Sequence, residues 1–217
     1  MIPTDILARR VPSIKASLEY LLRKRVDMVG LLPARGDLDA WASLRAARDA
    51  GLPQRMVEEG KLSLVHVEGI RTPFYAPPQA SERLAVARSV PRDDRARFIA
   101  PLDPLLWCRS ALKRLWSFTY AWEVYKPSEE RRWGDYVLPV LHDGRFVAPF
   151  DGRYESKTTT LQILGYWEEP SGLARDHPAI VEAFARFLEY LGGERRCAPP
   201  ADPPGALTGG QVYPLPE

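Results

Sequence analysis

The tetrapeptide His142-Asp143-Gly144-Arg145 lies between an apolar run, Tyr136–Leu141, and a returning run, Arg145–Phe150. An Asp-Gly pair suits the two positive-φ positions of a two-residue hairpin turn, and it is the strongest local constraint in this chain. The flanking runs are therefore expected to pair as antiparallel strands. Pro139 cannot donate to a ladder, which calls for an edge position or a bulge. Thr158–Trp167 reads as a further strand, and so does Tyr120–Tyr125. Pro178–Leu191 fits a helix with Ile180, Val181, Phe184, Phe187, Leu188 and Leu191 on one face.

The upstream pattern has a different period. Ser13 can cap a helix over about Ile14–Arg25, in which Ile14, Leu18, Leu21, Leu22 and Val26 recur at near-helical spacing. Leu32-Pro33-Ala34-Arg35-Gly36 is a break. Asp37 is a candidate N-cap for a second helix carrying Leu38, Trp41, Leu44 and Ala47, which Gly51 ends. A short helix over Pro53–Glu59 follows. Leu62–Val67, the Glu68-Gly69 turn and Arg71–Tyr75 then read as a hairpin. Three helices and a hairpin match the order of a winged helix-turn-helix module, although non-DNA-binding modules share that order. A helix over Ser81–Val90 runs along a connector, and Asp103 can cap another over Pro104–Leu115. The fold class expected is α+β: a winged helix-turn-helix module over 1–78, a connector over 79–96, and a β-rich mixed domain with flanking helices over 97–192. A Pro/Gly-rich tail over 193–217 is expected to be disordered.

The formal net charge is only +2, so bulk charge does not announce a nucleic-acid binder. The surplus of basic residues lies in the first 95 residues. Cys108 and Cys197 match no zinc or redox spacing and suit free thiols in a reducing compartment. No signal peptide or bilayer-spanning apolar run is apparent, so a cytoplasmic, nucleoid-associated location without membrane contact is the expectation.

Metal and hydrolase templates fit poorly. His66, His142 and His177 are isolated in sequence, no phosphate-cradling glycine loop is present, and no cofactor or metal is implied. The informative stretch is Arg109–Asp151. It interleaves Arg109, Lys113, Arg114, Lys126, Arg131, Arg132 and Arg145 with Trp107, Trp116, Tyr120, Trp122, Tyr125, Trp133 and Tyr136. Cations contact phosphate, and flat rings stack on bases or wedge a duplex step. The same composition also suits an aromatic core under an ordinary charged surface.

The run Phe98-Ile99-Ala100-Pro101-Leu102-Asp103-Pro104-Leu105-Leu106-Trp107-Cys108-Arg109 resembles a Ser-Pro-Phe-Asp-Pro-Leu-aliphatic-Trp-Asp-Arg run in the interstrand-crosslink DNA glycosylases of the AlkZ/YcaQ type. The likeness continues through Leu115, Phe118, Tyr120, Glu123, Tyr125 and Pro127. It then takes in Arg131-Arg132-Trp133-Gly134-Asp135-Tyr136-Val137-Leu138-Pro139, where the family reads Lys-Arg-Arg-Tyr-Gly-Tyr-Tyr-Val-Leu-Pro. Leu62–Tyr75 is loosely similar to the family's wing. The resemblance implies tandem winged-helix modules, a β-rich domain, and metal-independent hydrolysis of N-glycosidic bonds at alkylated or crosslinked bases. The partner it implies is double-stranded DNA, damaged DNA included. The DNA-binding candidates are Arg109, Lys113, Arg114, Arg131, Arg132, Trp133, Tyr136 and Arg145.

The catalytic signature of that family is Gln-aliphatic-Gln or Gln-aliphatic-Asp, N-terminal to the matched region. The glutamines here are Gln54, Gln79, Gln162 and Gln211; Gln162-Ile163-Leu164 begins the pattern without its second polar residue. No residue inherits the catalytic role. Pro149 and Ser156 also stand where the family often carries basic residues. The expectation is a DNA-binding relative of a repair glycosylase, N-terminally truncated and lacking the catalytic module. The alternative is a winged-helix transcriptional regulator or protein-interaction module.

Overall fold

The computed structural model describes residues 13–36, 40–193, 195–198 and 211–213. The chain divides into two units. One comprises residues through Val90 together with Trp107–Arg114, and the other comprises Pro91–Leu106 and the remainder from Leu115.

In the first unit, α1 (Ile14–Val29) begins at Ser13, whose hydroxyl accepts from the Ala16 N–H at 3.2 Å. That satisfies one of the donors every helix start leaves open. The helix runs four residues beyond the expected end and stops at Gly30, where φ is 74°. The expected break at Leu32-Pro33 is instead a short strand, β1 (Leu32–Pro33). The second helix is shorter than its sequence pattern suggests. Ser43 takes a φ of 62°, which interrupts the turns after Trp41, and α2 covers only Arg45–Asp49. The proposed cap Asp37 lies outside the described residues. α3 (Leu52–Glu58) follows Gly51, with Pro53 in its first turn. β2 (Ser63–Val65) and β3 (Phe74–Ala76) form the hairpin, and β1 completes a three-stranded antiparallel sheet in the order β1-β3-β2.

The core of this unit is built on Leu22, Val26, Leu32, Trp41, Leu44, Met56 and Phe74. Trp41 donates its indole N–H to the Pro33 carbonyl at 2.8 Å and meets Tyr75 edge-on, with ring centroids 6.1 Å apart. The hairpin is followed by α4 (Ala80–Ser89), which buries none of its residues.

In the second unit, β4 (Arg97–Phe98) leads into α5 (Pro104–Trp107), capped by the Asp103 carboxylate on the Leu105 N–H at 2.8 Å. The single helix expected over Pro104–Leu115 is broken at Cys108, and α6 (Arg109–Trp116) resumes it and crosses the unit boundary. β5 (Leu138–His142), β6 (Arg145–Glu155) and β7 (Thr160–Tyr166) follow β4 in that order in a six-stranded sheet, which β8 (Arg195–Ala198) and β9 (Gln211–Tyr213) complete beyond β7. The turn between β5 and β6 has φ of 44° at Asp143 and 73° at Gly144, as the Asp-Gly pair requires. Pro139 lies opposite Pro149 in the ladder, and the register shifts between Val140 and Leu141. Two facing prolines, neither able to donate, suit a non-hydrogen-bonded pair.

The strand expected over Tyr120–Tyr125 does not form. The described backbone there pairs with no ladder, and Tyr120 instead donates its hydroxyl to the Val137 carbonyl at 3.0 Å. α7 (Pro178–Tyr190) starts at His177, whose Nδ1 accepts from the Ala179 N–H. It buries Ile180, Ala183, Phe184 and Leu188 against Val140, Ala148, Phe150 and Ile163 of the sheet. Phe98, Phe150 and Phe184 meet with centroids 4.7 to 5.0 Å apart. Two strands fall within the segment expected to be disordered. β8 (Arg195–Ala198) pairs in parallel with β7, and β9 (Gln211–Tyr213) pairs antiparallel with β8. The outer edge of β7 offers unpaired backbone groups, a template on which even a proline-flanked segment can add a strand. The rest of the tail lies outside the described residues.

Candidate nucleic-acid interface

Residues 122–136 carry no regular structure apart from a 3-10 turn over Ser128–Glu130. Two buried carboxylates hold this loop. Glu123 accepts the N–H groups of Arg132 at 2.8 Å and Trp133 at 3.0 Å, and its other oxygen accepts from the Lys126 ammonium at 2.7 Å. Burial pushes the Glu123 pKa up, but the Lys126 ammonium and the two backbone donors together outweigh it and hold the group below its ordinary range. Asp151 holds the far end by accepting the N–H groups of Tyr136 and Gly152. Burial dominates at Asp151, and its pKa is raised. Gly134 passes so close to Asp151 that a Cβ at that position would collide with the carboxylate, which is why a glycine stands there.

The loop presents its candidates differently. Arg131 is half-buried and structurally committed, because it ion-pairs with Asp135 and donates from Nε to the Lys126 carbonyl at 2.9 Å. Arg132 is exposed, and its guanidinium lies over the Trp133 ring, 4.4 Å from the centroid. Tyr136 is exposed and meets Trp122 edge-on. Arg145 is exposed at the β5–β6 turn, where Trp116 donates its indole N–H to the Gly144 carbonyl at 2.9 Å. These residues belong to the second unit. Arg109, Lys113 and Arg114 lie on the part of α6 assigned to the first unit. There Arg109 and Lys113 are one turn apart on one face, and all three are exposed. None of Arg109, Lys113, Arg114, Arg132 and Arg145 forms an ion pair with a carboxylate among the described residues.

Sequence reasoning passed over Asp151 and met Glu123 only as one letter of a resemblance. The available signal at Asp151 was a charged residue directly followed by glycine inside an apolar strand run, a combination that marks a close backbone approach. His142 and His177, isolated in sequence, approach to 5.9 Å between ring centroids. Among the described residues no group of three or more His, Cys, Asp or Glu is arranged to hold a metal ion.

A family model described as DNA glycosylase AlkZ-like matches residues 4–190. The chain belongs to the AlkZ-like DNA glycosylase family. The membership agrees with the family likeness carried by the Asp103-Pro104-Leu105-Leu106-Trp107 and Arg131–Pro139 segments. Among solved structures, this AlkZ-like chain is similar to the Streptomyces sahachiroi DNA glycosylase AlkZ. The TM-score is 0.52 at 17% identity, over 88% of this chain and 47% of that one. The likeness is one of fold, and the AlkZ-like chain spans about half the length of that enzyme. Among the described residues no helix is long and apolar enough to cross a membrane.

Proposed function

We propose that this chain binds double-stranded DNA in a repair context and does not hydrolyse glycosidic bonds by itself. The observation that carries the reading is the family match over residues 4–190. It is supported by the element order of the first unit, a helix, a strand, two helices and a hairpin, with β1 added beside β3. That order suits a winged helix. The exposed cations Arg109, Lys113 and Arg114 on α6, and Arg132 and Arg145 with Trp133 and Tyr136 in the second unit, are the proposed contacts. Arg131 contributes by shaping the loop.

The glutamines support a non-catalytic role. Gln54 donates to the Tyr75 hydroxyl at 2.8 Å, and Gln162 is exposed on β7 ahead of the buried Ile163. Neither has a polar companion two residues on.

Fluorescence anisotropy with a labelled duplex tests the reading. Affinity should fall steeply as salt rises, and Arg132→Ala should reduce the slope of log affinity against log salt by about 1. Absence of binding at low salt would overturn it.

A second reading rests on a separate observation. Ile14, Tyr20, Leu21 and Met28 of α1 are exposed, which favours use of the scaffold as a protein-interaction module. A stable dimer by light scattering, without DNA binding, would support that reading instead.

A further inference from the structure

Six tryptophans occur in the chain. Trp41 and Trp116 tie their indole N–H groups to backbone carbonyls. Trp122 does not: its Nε1 is buried without an acceptor among the described residues. A buried tryptophan ordinarily finds a partner for this group, and leaving it unmade costs stability. Trp122 therefore holds its place through its ring.

That ring is the middle of a three-ring cluster. Tyr125 meets Trp122 at 5.6 Å between centroids with planes 68° apart, and Tyr136 meets it at 6.2 Å with planes 84° apart. Both tyrosines thus stand steeply to the indole. They are also open to solvent, Tyr125 at 84% and Tyr136 at 49% relative exposure. Neither ring completes a core. The backbone beneath them is held by Glu123 and Asp151, so the rings are mounted on a fixed loop.

The charges around the cluster indicate which part of a nucleic acid it suits. Lys126 is paired with Glu123 and Arg131 with Asp135, while Glu129 and Glu130 are exposed on the adjoining turn. A phosphate tract would meet as much repulsion as attraction here. A base is a neutral flat ring, and its stacking on aromatic side chains is tolerant of sequence. Arg132, the cation of this loop without a carboxylate partner among the described residues, lies over Trp133 and leaves one positive group for the phosphate beside that base.

We infer that Trp122, Tyr125 and Tyr136 form a stacking site for a single unpaired nucleobase within duplex DNA. The inference rests on the DNA-binding reading above and extends it to the DNA feature that this loop takes. A base that is bulged or otherwise unstacked enters the site at lower cost than one drawn from an intact helix.

The test uses the full chain and two duplexes of the same sequence, one fully paired and one with a single bulged 2-aminopurine. The bulged duplex should bind about tenfold more tightly than the paired one, with 2-aminopurine fluorescence quenched on binding. Tyr125→Ala should bring the affinity ratio close to one and remove the quench, whereas Tyr125→Phe should retain both. Tyr136→Ala should act in the same direction. Tyr190→Ala, on a comparably exposed tyrosine of α7, should leave the ratio as it is. Binding of both duplexes without preference, or a ratio and quench that survive Tyr125→Ala, overturns the stacking site alone and leaves the ring cluster to a protein partner. Failure to bind either duplex at low salt overturns the DNA-binding reading with it.

Discussion

Glu123 and Asp151 are both buried, yet their pKa values move in opposite directions, and the difference lies in what each carboxylate accepts. Glu123 has an ammonium and two backbone donors, which favour the charged form. Asp151 has two backbone donors and the charges of Arg153 and Arg131, which together do not offset its burial. The signs translate into stability through proton linkage. The stability lent by Glu123 is full above its ordinary value of 4.5 and is lost as pH falls through the lowered folded value. Asp151 acts in reverse, and the folded state loses stability as pH rises from 3.8 through the raised value. Glu123→Gln should cost about 1–3 kcal/mol at neutral pH, because one amide oxygen cannot serve both N–H groups and Lys126. Urea unfolding should show that cost shrinking towards pH 3. An equal cost at both pH values would mean that ionisation of Glu123 does not hold the loop. Little of this was legible in the sequence. Glu-x-Tyr and Phe-Asp-Gly do not say that two distant carboxylates converge on one loop, because that depends on pairing between strands far apart in the chain.

At the scale of elements, local chemistry was most readable where a residue type has one dominant conformational use. Ser13 as a cap, the Asp143-Gly144 turn and the apolar face of α7 depend on neighbours within a few residues. Gly144→Val should therefore destabilise the protein by about 1–2 kcal/mol, since a β-branched residue at a φ of 73° is strained whatever surrounds it. Thermal unfolding checks this, and an unchanged midpoint would mean the turn can take another form. Tyr120–Tyr125 misled for the complementary reason. Aromatic residues suit strands only where a partner strand is available. Here Tyr120 and Glu123 use their side chains to bond the 132–137 backbone, in place of a ladder. The interruption ahead of α2 was equally hidden, because a positive φ at Ser43 has no reliable residue signature.

For the molecule as a whole, the periodicity change near residue 62, from helical to alternating, located the α-to-β transition of the first unit correctly. The core of the second unit lies between its sheet and α7, and its aromatic junction is the place where a single truncation should be felt most. Phe184→Ala should cost about 3–5 kcal/mol, since Phe184 is fully buried between Phe98, Phe150 and Tyr166. Urea unfolding measures it, and a loss below about 1 kcal/mol would mean the junction collapses around the gap. The return of Trp107–Arg114 to the first unit had no counterpart in the sequence pattern, which marks α6 as amphipathic but not which unit it serves.

α4 is ten residues long and buries none of them. Helices that short are marginal in water without packing to support them. It should open often enough to be the first site a protease cuts. The first unit, however, continues on the other side of that helix, where Leu112 is fully buried. A single cut within Ala80–Ser89 should therefore give two bands on a denaturing gel and one species on a native column. Mild denaturant should be needed to part them. Two species from the native column would show that the segment before the cut stands without Trp107–Arg114. A nicked chain that stays together makes the first unit a product of packing between its two segments rather than of an intact peptide.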